Sequence, residues 1–128
     1  MKMFLCLIVL LLHPAEQESA QTIPAVDPDK VMLVLALDPL AIPVDVRLKF
    51  EYRRGHIEKA VHLPKKKDLD AFAMTTPKHR PLYVYCTTET RARQAAQLLI
   101  DKGFEKVFVI EGGISKWKAY KLPLIKGK

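Results

Sequence analysis

A short apolar stretch that ends in a cysteine and leads into a helical pattern most constrains the fold of this chain. The run from Leu82 to Tyr85 is rich in β-branched and aromatic residues, which is typical of a buried strand. Cys86 ends this strand, four polar residues follow, and Arg91 begins a segment with helical periodicity. The apolar residues that share one helical face are Ala92, Ala95, Ala96 and Leu99. The stretch therefore predicts a strand–loop–helix unit with a thiol at the carboxyl end of the strand.

Strand and helix patterns alternate along the rest of the chain. Asp27-Pro28 predicts a helix start, because aspartate is a preferred N-cap and proline suits the first helical position. The apolar run from Val31 to Leu37 fits either a helix or a strand, and Pro43 indicates an edge strand or the first residues of a strand. The other predicted elements are strands at 41–46, 60–63 and 106–110 and helices at 49–54, 65–74, 91–102 and 114–120, after a loose leader at 21–26. This alternation predicts an α/β fold with a mostly parallel central sheet flanked by helices.

The predicted position of Cys86 suggests chemistry. Sites in open parallel sheets form at the carboxyl ends of strands, and Cys86 ends the strand that we expect at the centre of the sheet. Successive backbone N–H groups and a helix N-terminus stabilise a thiolate, which can act as a nucleophile or carry sulfur. The alternative is that Cys86 is a small buried core residue.

The first twenty residues differ in composition from the rest. Lys2 precedes an apolar run from Met3 to Leu12, which is typical of a secretory signal peptide and too short to span a bilayer of roughly 30 Å. We expect a signal peptide at 1–20, a single domain at 21–128 and a periplasmic or secreted protein, with an uncleaved anchor as the alternative. Cleavage after Ala20 would remove one lysine and two glutamates, so the net charge would change from +7 to +8. Cys86 would then be the single cysteine, and a lone thiol in an oxidising compartment favours chemistry over structure.

The remaining composition excludes several kinds of partner. Two cysteines do not make a disulfide framework, and no Cys/His spacing indicates a metal site, so we expect neither a metal nor another cofactor. The positive residues are scattered and include Lys65-Lys66-Lys67, which we interpret as a solvated face. We expect no nucleic-acid partner, no membrane contact except through an uncleaved N-terminal segment, and a monomer.

The order of motifs from about Asp45 to Pro123 resembles the rhodanese family of sulfurtransferases. A secreted single domain that ends in a basic tail is similar to the small periplasmic rhodaneses of the phage-shock-protein E type. The motifs that carry the resemblance are Asp45-Val46-Arg47, Glu51-Tyr52, Gly55-His56-Ile57, Ala60, Leu63-Pro64, Tyr83-Val84-Tyr85-Cys86 with Arg91, Gly103-Phe104, Val107, Gly112-Gly113, Trp117 and Pro123. Four positions depart from the family pattern. The family commonly has a proline-glycine pair at Glu58-Lys59 and glycine at Glu89 and at Lys121.

The resemblance implies a two-step transfer through Cys86. The Cys86 thiolate attacks the outer sulfur of a donor such as thiosulfate, a persulfide forms, and cyanide or a thiol acceptor removes the sulfur. Arg91 would hold an anionic donor, while Asp45 with Arg47 and His56 would have structural roles; His62 and His79 are interpreted as incidental. The substrate-binding loop implied by the family consists of Thr87, Thr88, Glu89, Thr90, Arg91 and Ala92, whose N–H groups cradle the charge and whose threonines bind the donor or cap the helix.

Glu89 puts a carboxylate in a loop that is expected to receive an anion. We therefore expect Glu89 to oppose thiosulfate binding, so that Glu89→Gly raises kcat/KM. This departure also keeps open a second function, that of a catalytically weak sulfur-carrier or binding module. A cysteine–arginine phosphatase is a third alternative. Such a phosphatase needs five residues between its cysteine and its arginine, whereas four residues lie between Cys86 and Arg91, so the loop length argues against it.

Overall fold

The computed structural model describes residues 22–128. The predicted signal peptide at 1–20 lies outside the described residues, so export of the chain stays a prediction. Between residues 22 and 128, no helix is both long enough and apolar enough to cross a membrane.

Five strands form one sheet in the order β1-β5-β4-β2-β3, and every neighbouring pair is parallel. The elements in chain order are β1 (Ala25–Val26), α1 (Pro28–Leu37), β2 (Ile42–Asp45), α2 (Lys49–Arg54), β3 (Val61–His62), α3 (Lys66–Thr75), β4 (Leu82–Tyr85), α4 (Thr90–Asp101), β5 (Val107–Ile110) and α5 (Gly113–Ala119). The predicted α/β class is confirmed, and β4 is the central strand, as expected.

The first described residues form a short strand and a capped helix, and both bear on the sequence predictions for 21–37. The prediction of a loose leader at 21–26 was wrong for its last two residues. Ala25 and Val26 form β1, which pairs with Val109 and Ile110 of β5. The apolar run after Asp27 is helical, since the N–H of Asp29 donates to Asp27 Oδ1 at 3.0 Å and caps α1. A two-residue strand is too short for a local pattern to reveal, whereas a cap is visible in sequence.

Pro43 lies near the start of an interior strand, so the alternative of an edge strand was wrong. Strand β2 lies between β4 and β3. The N–H groups of Ile42 and Val46 donate to the carbonyl oxygens of Pro81 and Tyr85, on the β4 side of the strand. The backbone nitrogen of Pro43 therefore faces the opposite side, toward β3. On that side the pairing with β3 begins only at Val44. The missing N–H of Pro43 therefore removes no ladder hydrogen bond.

The sheet carries an apolar layer on each face. Alternate residues of β4 point to opposite sides, so Leu82, Val84 and the following Cys86 join the cluster that includes α3 and α4 residues. Tyr83 and Tyr85 join the cluster on the other face, which includes Val31, Ile114 and Trp117 of α1 and α5. The pleat of the central strand therefore places the thiol on the α4 side of the sheet.

Two of the departures from the family pattern coincide with unusual backbone. Lys59 has φ of 65° and Lys121 has φ of 57°, and they are the non-glycine residues with positive φ in the described chain. Left-handed backbone costs a lysine roughly 1 kcal/mol more than a glycine. The glycines common at these two positions in the family therefore have a conformational reason, and this chain tolerates the strain away from the cysteine loop.

Candidate active site

The thiol of Cys86 is buried at the junction of β4 and α4. Its side chain is 1% exposed, and the backbone N–H of Ala92 donates to Sγ at 3.3 Å. Helix α4 begins at Thr90, one residue before the predicted start, with Glu89 as its N-cap. The sulfur thus lies against the first turn of α4, whose N–H groups and partial positive charge favour an anion.

The loop between Cys86 and α4 leaves a run of backbone N–H groups without a protein acceptor among the described residues. Within residues 22–128, no protein atom accepts a hydrogen bond from the N–H groups of residues 87–91. The carbonyls of Cys86 and Thr87 instead accept hydrogen bonds from the N–H groups of Ile114 and Ser115 at 2.9 and 3.1 Å. Because the carbonyls of Cys86 and Thr87 point toward α5, the N–H groups of the same peptide units point away from it.

Gly113 permits the close approach of α5 to this loop. A Cβ atom built there would lie 2.2 Å from the carbonyl oxygen of Thr88 and 2.6 Å from that of Cys86. Its φ of 59° is also in the left-handed region. The sequence indicated only a turn at Gly112-Gly113, and the contact with the cysteine loop was not predicted.

Arg91 is already paired with a carboxylate that we did not predict as a site residue. Its Nη1 and Nη2 donate to Glu51 Oε1 and Oε2 at 3.1 and 3.3 Å, and Nη2 also donates to Thr87 Oγ1 at 2.9 Å. Thr87 Oγ1 in turn donates to Glu51 Oε2 at 2.9 Å. The geometry therefore places Arg91 in a network with Glu51 and Thr87 rather than as an unpaired anion binder, and its contact with a donor stays a prediction.

Glu51 is held in place from its own helix. It lies in the first turn of α2, and the N–H of Leu48 donates to its Oε1 at 3.1 Å. The hydrogen bonds from Arg91 lower the pKa of Glu51 to about 2, and those from Thr87 and Leu48 act in the same direction. The sequence signal was its place in the Glu51-Tyr52 motif, but nothing in that motif indicates a partner forty residues away.

Glu51→Gln is expected to remove a pH-dependent stabilisation. The folded pKa of about 2 lies below the usual value of about 4.3, so the ion pair stabilises the fold above about pH 4.3. This contribution is lost as the pH falls toward about 2. Because the pair is partly exposed, the difference in free energy of unfolding between wild type and variant should be about 1 kcal/mol at about pH 6.

Urea denaturation over this pH range measures that difference. It should shrink toward zero at low pH, and Glu58→Gln, at an exposed glutamate, is the matched control. A difference for Glu51→Gln that does not change with pH would contradict the ion pair.

The Glu89 carboxylate accepts hydrogen bonds from Arg93 and Gly112, not from the N–H groups of its own loop. Its Oε2 accepts from the N–H of Gly112 at 2.9 Å, and its Oε1 accepts from Arg93 Nη2 at 2.7 Å. The Gly112 N–H and then Arg93 hold the pKa of Glu89 below its usual value. Arg93 therefore offsets part of the charge of Glu89, and the carboxylate ties the loop to the turn before α5; the expected effect of Glu89 on thiosulfate binding stays a prediction.

The other predicted residues have structural partners or face solvent. Thr88 and Thr90 are exposed. Asp45 and Arg47 form a buried pair, with Nη2 to Oδ2 at 2.7 Å, as the resemblance implied. His56 Nδ1 lies 2.9 Å from the carbonyl oxygen of Tyr52. Among residues 22–128, no cluster of three His, Cys, Asp or Glu side chains is placed to hold a metal ion.

The fold and the loop together define a class of protein: a parallel α/β domain with a buried thiol at the end of its central strand, against the first turn of the helix that follows. The model of the Rhodanese-like domain family matches residues 29–120. The chain belongs to the rhodanese-like family.

Relatives and solved structures agree with this membership. The thiosulfate sulfurtransferase GlpE of Coxiella burnetii is 36% identical over 76 residues, which cover 59% of this chain and 70% of that protein. A tRNA uridine(34) hydroxylase of Cronobacter sakazakii is 34% identical over 89 residues, which cover 62% of this chain and 24% of that protein. The Alr3790 protein from Anabaena superposes with a TM-score of 0.74 at 31% identity, covering 80% of this chain and 82% of that chain.

Proposed function

We propose that this protein is a sulfurtransferase that carries sulfane sulfur as a persulfide on Cys86, with thiosulfate or a persulfide as donor and cyanide or a thiol as acceptor. The observation that carries the proposal is the set of free N–H groups of residues 87–91 beside the buried sulfur. Family membership and the similarity to a thiosulfate sulfurtransferase support sulfur transfer in general.

The first step follows from the charges around the thiol. The Cys86 thiolate attacks the outer sulfur of thiosulfate, a sulfur–sulfur bond forms, and sulfite leaves with the electron pair of the broken bond. The N–H groups of residues 87–91 and the N–H of Ala92 donate to the resulting Cys86–S–S⁻ anion. Arg91 attracts the doubly negative donor, while Glu51 fixes the guanidinium in position.

The second step regenerates the thiolate. The persulfide takes a proton from water, and an acceptor thiolate attacks its outer sulfur. The sulfur–sulfur bond of the persulfide breaks, the sulfur and its proton leave on the acceptor, and the electron pair returns to Cys86. A thiol persulfide donor loads Cys86 by the reverse of this second step.

Mass spectrometry of the cysteine peptide tests the proposal. After incubation with thiosulfate, the tryptic peptide that covers residues 79–91 should gain one sulfur atom, and cyanide should remove it. A peptide that never gains sulfur from thiosulfate or from a thiol persulfide would contradict the persulfide. A gain that acceptors do not remove would favour the sulfur-carrier or binding module.

A further inference from the structure

We propose that a groove beside Arg91 selects small anionic thiols as sulfur acceptors, an inference that rests on the proposed persulfide and names its acceptor class. The groove lies between α4 and the segment that leads from β3 into α3, and its volume is about 180 Å³. Its polar lining consists of Lys66, Arg91 and Gln94. Among the described residues that line it there is no carboxylate, so the lining presents the Lys66 ammonium, an amide and the guanidinium of Arg91, whose charge Glu51 offsets from outside the groove.

The groove shares Arg91 with the loop that follows Cys86. Arg91 directly precedes Ala92, whose N–H contacts Sγ of Cys86, and it also lines the groove. Ala95 lies three residues after Ala92, which places the two on the same face of α4 about 5–6 Å apart. A ligand in the groove can therefore reach the loop that would hold the persulfide.

Arg91 keeps donors for such a ligand. A guanidinium has five N–H donors, and the contacts with Glu51 and Thr87 use one on Nη1 and both on Nη2. Within the described chain, Nε–H and the second Nη1–H have no hydrogen-bond partner. The Arg91 side chain is also 42% exposed, so these donors are accessible to a carboxylate.

Lys66 supplies the second charge. It is the first residue of α3 and is exposed, and no ion pair within 4.0 Å is formed by it in the part of the chain that the structure describes. Asp70, one turn further along α3, pairs with Lys102 instead. The Lys66 ammonium is therefore available to an anion at the mouth of the groove.

The walls and the size of the groove define the rest of the ligand. Val46, Leu63 and Leu98 give it an apolar wall, which a fully polar anion such as thiosulfate does not need. A volume of about 180 Å³ is below the roughly 300 Å³ at which sites for drug-sized ligands begin. A thiol with a short carbon chain and one terminal carboxylate matches this lining.

The reaction in the groove is the second step of the proposed mechanism. With the carboxylate on Lys66 and Arg91, the acceptor thiolate attacks the outer sulfur of Cys86–S–SH. The acceptor leaves as R–S–SH, and Cys86 returns to its thiolate, so that atoms, proton and charge balance.

A single-turnover experiment on the full chain isolates this step from the donor. The enzyme is loaded with sulfur, freed of thiosulfate, and mixed with 3-mercaptopropionate or with 3-mercapto-1-propanol, which carries a hydroxymethyl group in place of the carboxylate. The measured quantity is the ratio of the two second-order rate constants for loss of the persulfide. In wild type this ratio should exceed one and should fall as salt is added.

Two charge-reversal variants give a matched comparison. Lys66→Glu should lower the ratio about five- to tenfold, whereas Lys67→Glu should leave it near the wild-type value. Both change the net charge equally in the first turn of α3, where an acidic side chain is well tolerated, but only Lys66 lines the groove.

Each outcome decides one claim. Equal ratios in the two variants, or a wild-type ratio of one, would overturn the groove as an acceptor site while the persulfide stands. An enzyme that cannot be loaded with sulfur would overturn the proposed function and with it this inference.

Discussion

Replacing Cys86 with serine is expected to lower the rate of sulfur transfer by about 10³-fold or more while the protein stays folded. A serine hydroxyl at neutral pH is a far weaker nucleophile than a thiolate and cannot hold a persulfide. The packing should barely change, since serine is similar in volume and its oxygen can accept the N–H of Ala92 that now contacts Sγ. The change in free energy of unfolding should stay within about 1.5 kcal/mol.

Steady-state transfer from thiosulfate to cyanide and thermal unfolding, measured on the same preparations, test both parts of this expectation. Cys6→Ser, made in the full uncleaved chain, is the matched control, because it removes the other thiol of that chain. Transfer that persists in Cys86→Ser, or that is lost in Cys6→Ser instead, would overturn the assignment of the persulfide to Cys86.

The parts of this fold that were predictable are those with a local cause. Strand β4 is a β-branched and aromatic run, α1 has an aspartate cap and a proline, and the inner face of α4 repeats alanine and leucine at helical spacing. These features favour their elements through local residue preferences, although the elements become stable only in the packed fold. Strand β1 has no such cause, because two residues gain their strand geometry only from the pairing with β5.

The site was only partly predictable, for the same reason. Cys86 and Arg91 share one strand–loop–helix unit, so the sequence places them together. Glu51 reaches Arg91 from α2, and a contact between residues forty positions apart depends on how the sheet brings α2 and α4 together. Glu89 is an intermediate case: its spacing of four from Arg93 is visible in sequence and permits the ion pair, but its bond to Gly112 is not.

Gly113→Ala is expected to destabilise the fold by about 2–4 kcal/mol and to reduce sulfur transfer as well. A Cβ at this position would lie 2.2, 2.6 and 2.7 Å from the carbonyl oxygens of Thr88, Cys86 and Thr87. These distances are shorter than real contacts of a Cβ atom. Because all three oxygens are backbone atoms, a side-chain movement cannot relieve the clash. Either α5 moves away or the loop does, and both movements break the hydrogen bonds that Ile114 and Ser115 donate to the loop.

Gly103→Ala separates this steric effect from backbone strain. Gly103 also has positive φ, at 101°, but a Cβ there would meet no atom within 4 Å. Gly103→Ala should therefore lower the free energy of unfolding only by the backbone strain, about 1–2 kcal/mol. Its kcat should not change, because residue 103 lies at the end of α4 away from the cysteine loop. Urea denaturation gives the two stabilities, and the thiosulfate-to-cyanide assay gives the two kcat values.

The two glycine variants together test how the loop is held. If α5 fixes the loop carbonyls, Gly113→Ala turns the N–H groups of residues 87–91 away from the persulfide, so its kcat should fall at least tenfold below that of Gly103→Ala. Equal losses of stability and equal kcat in both variants would mean that α5 relaxes without moving the loop. The free N–H groups would then owe their orientation to the helix start at Glu89 and its bond to Gly112 rather than to the contact with α5.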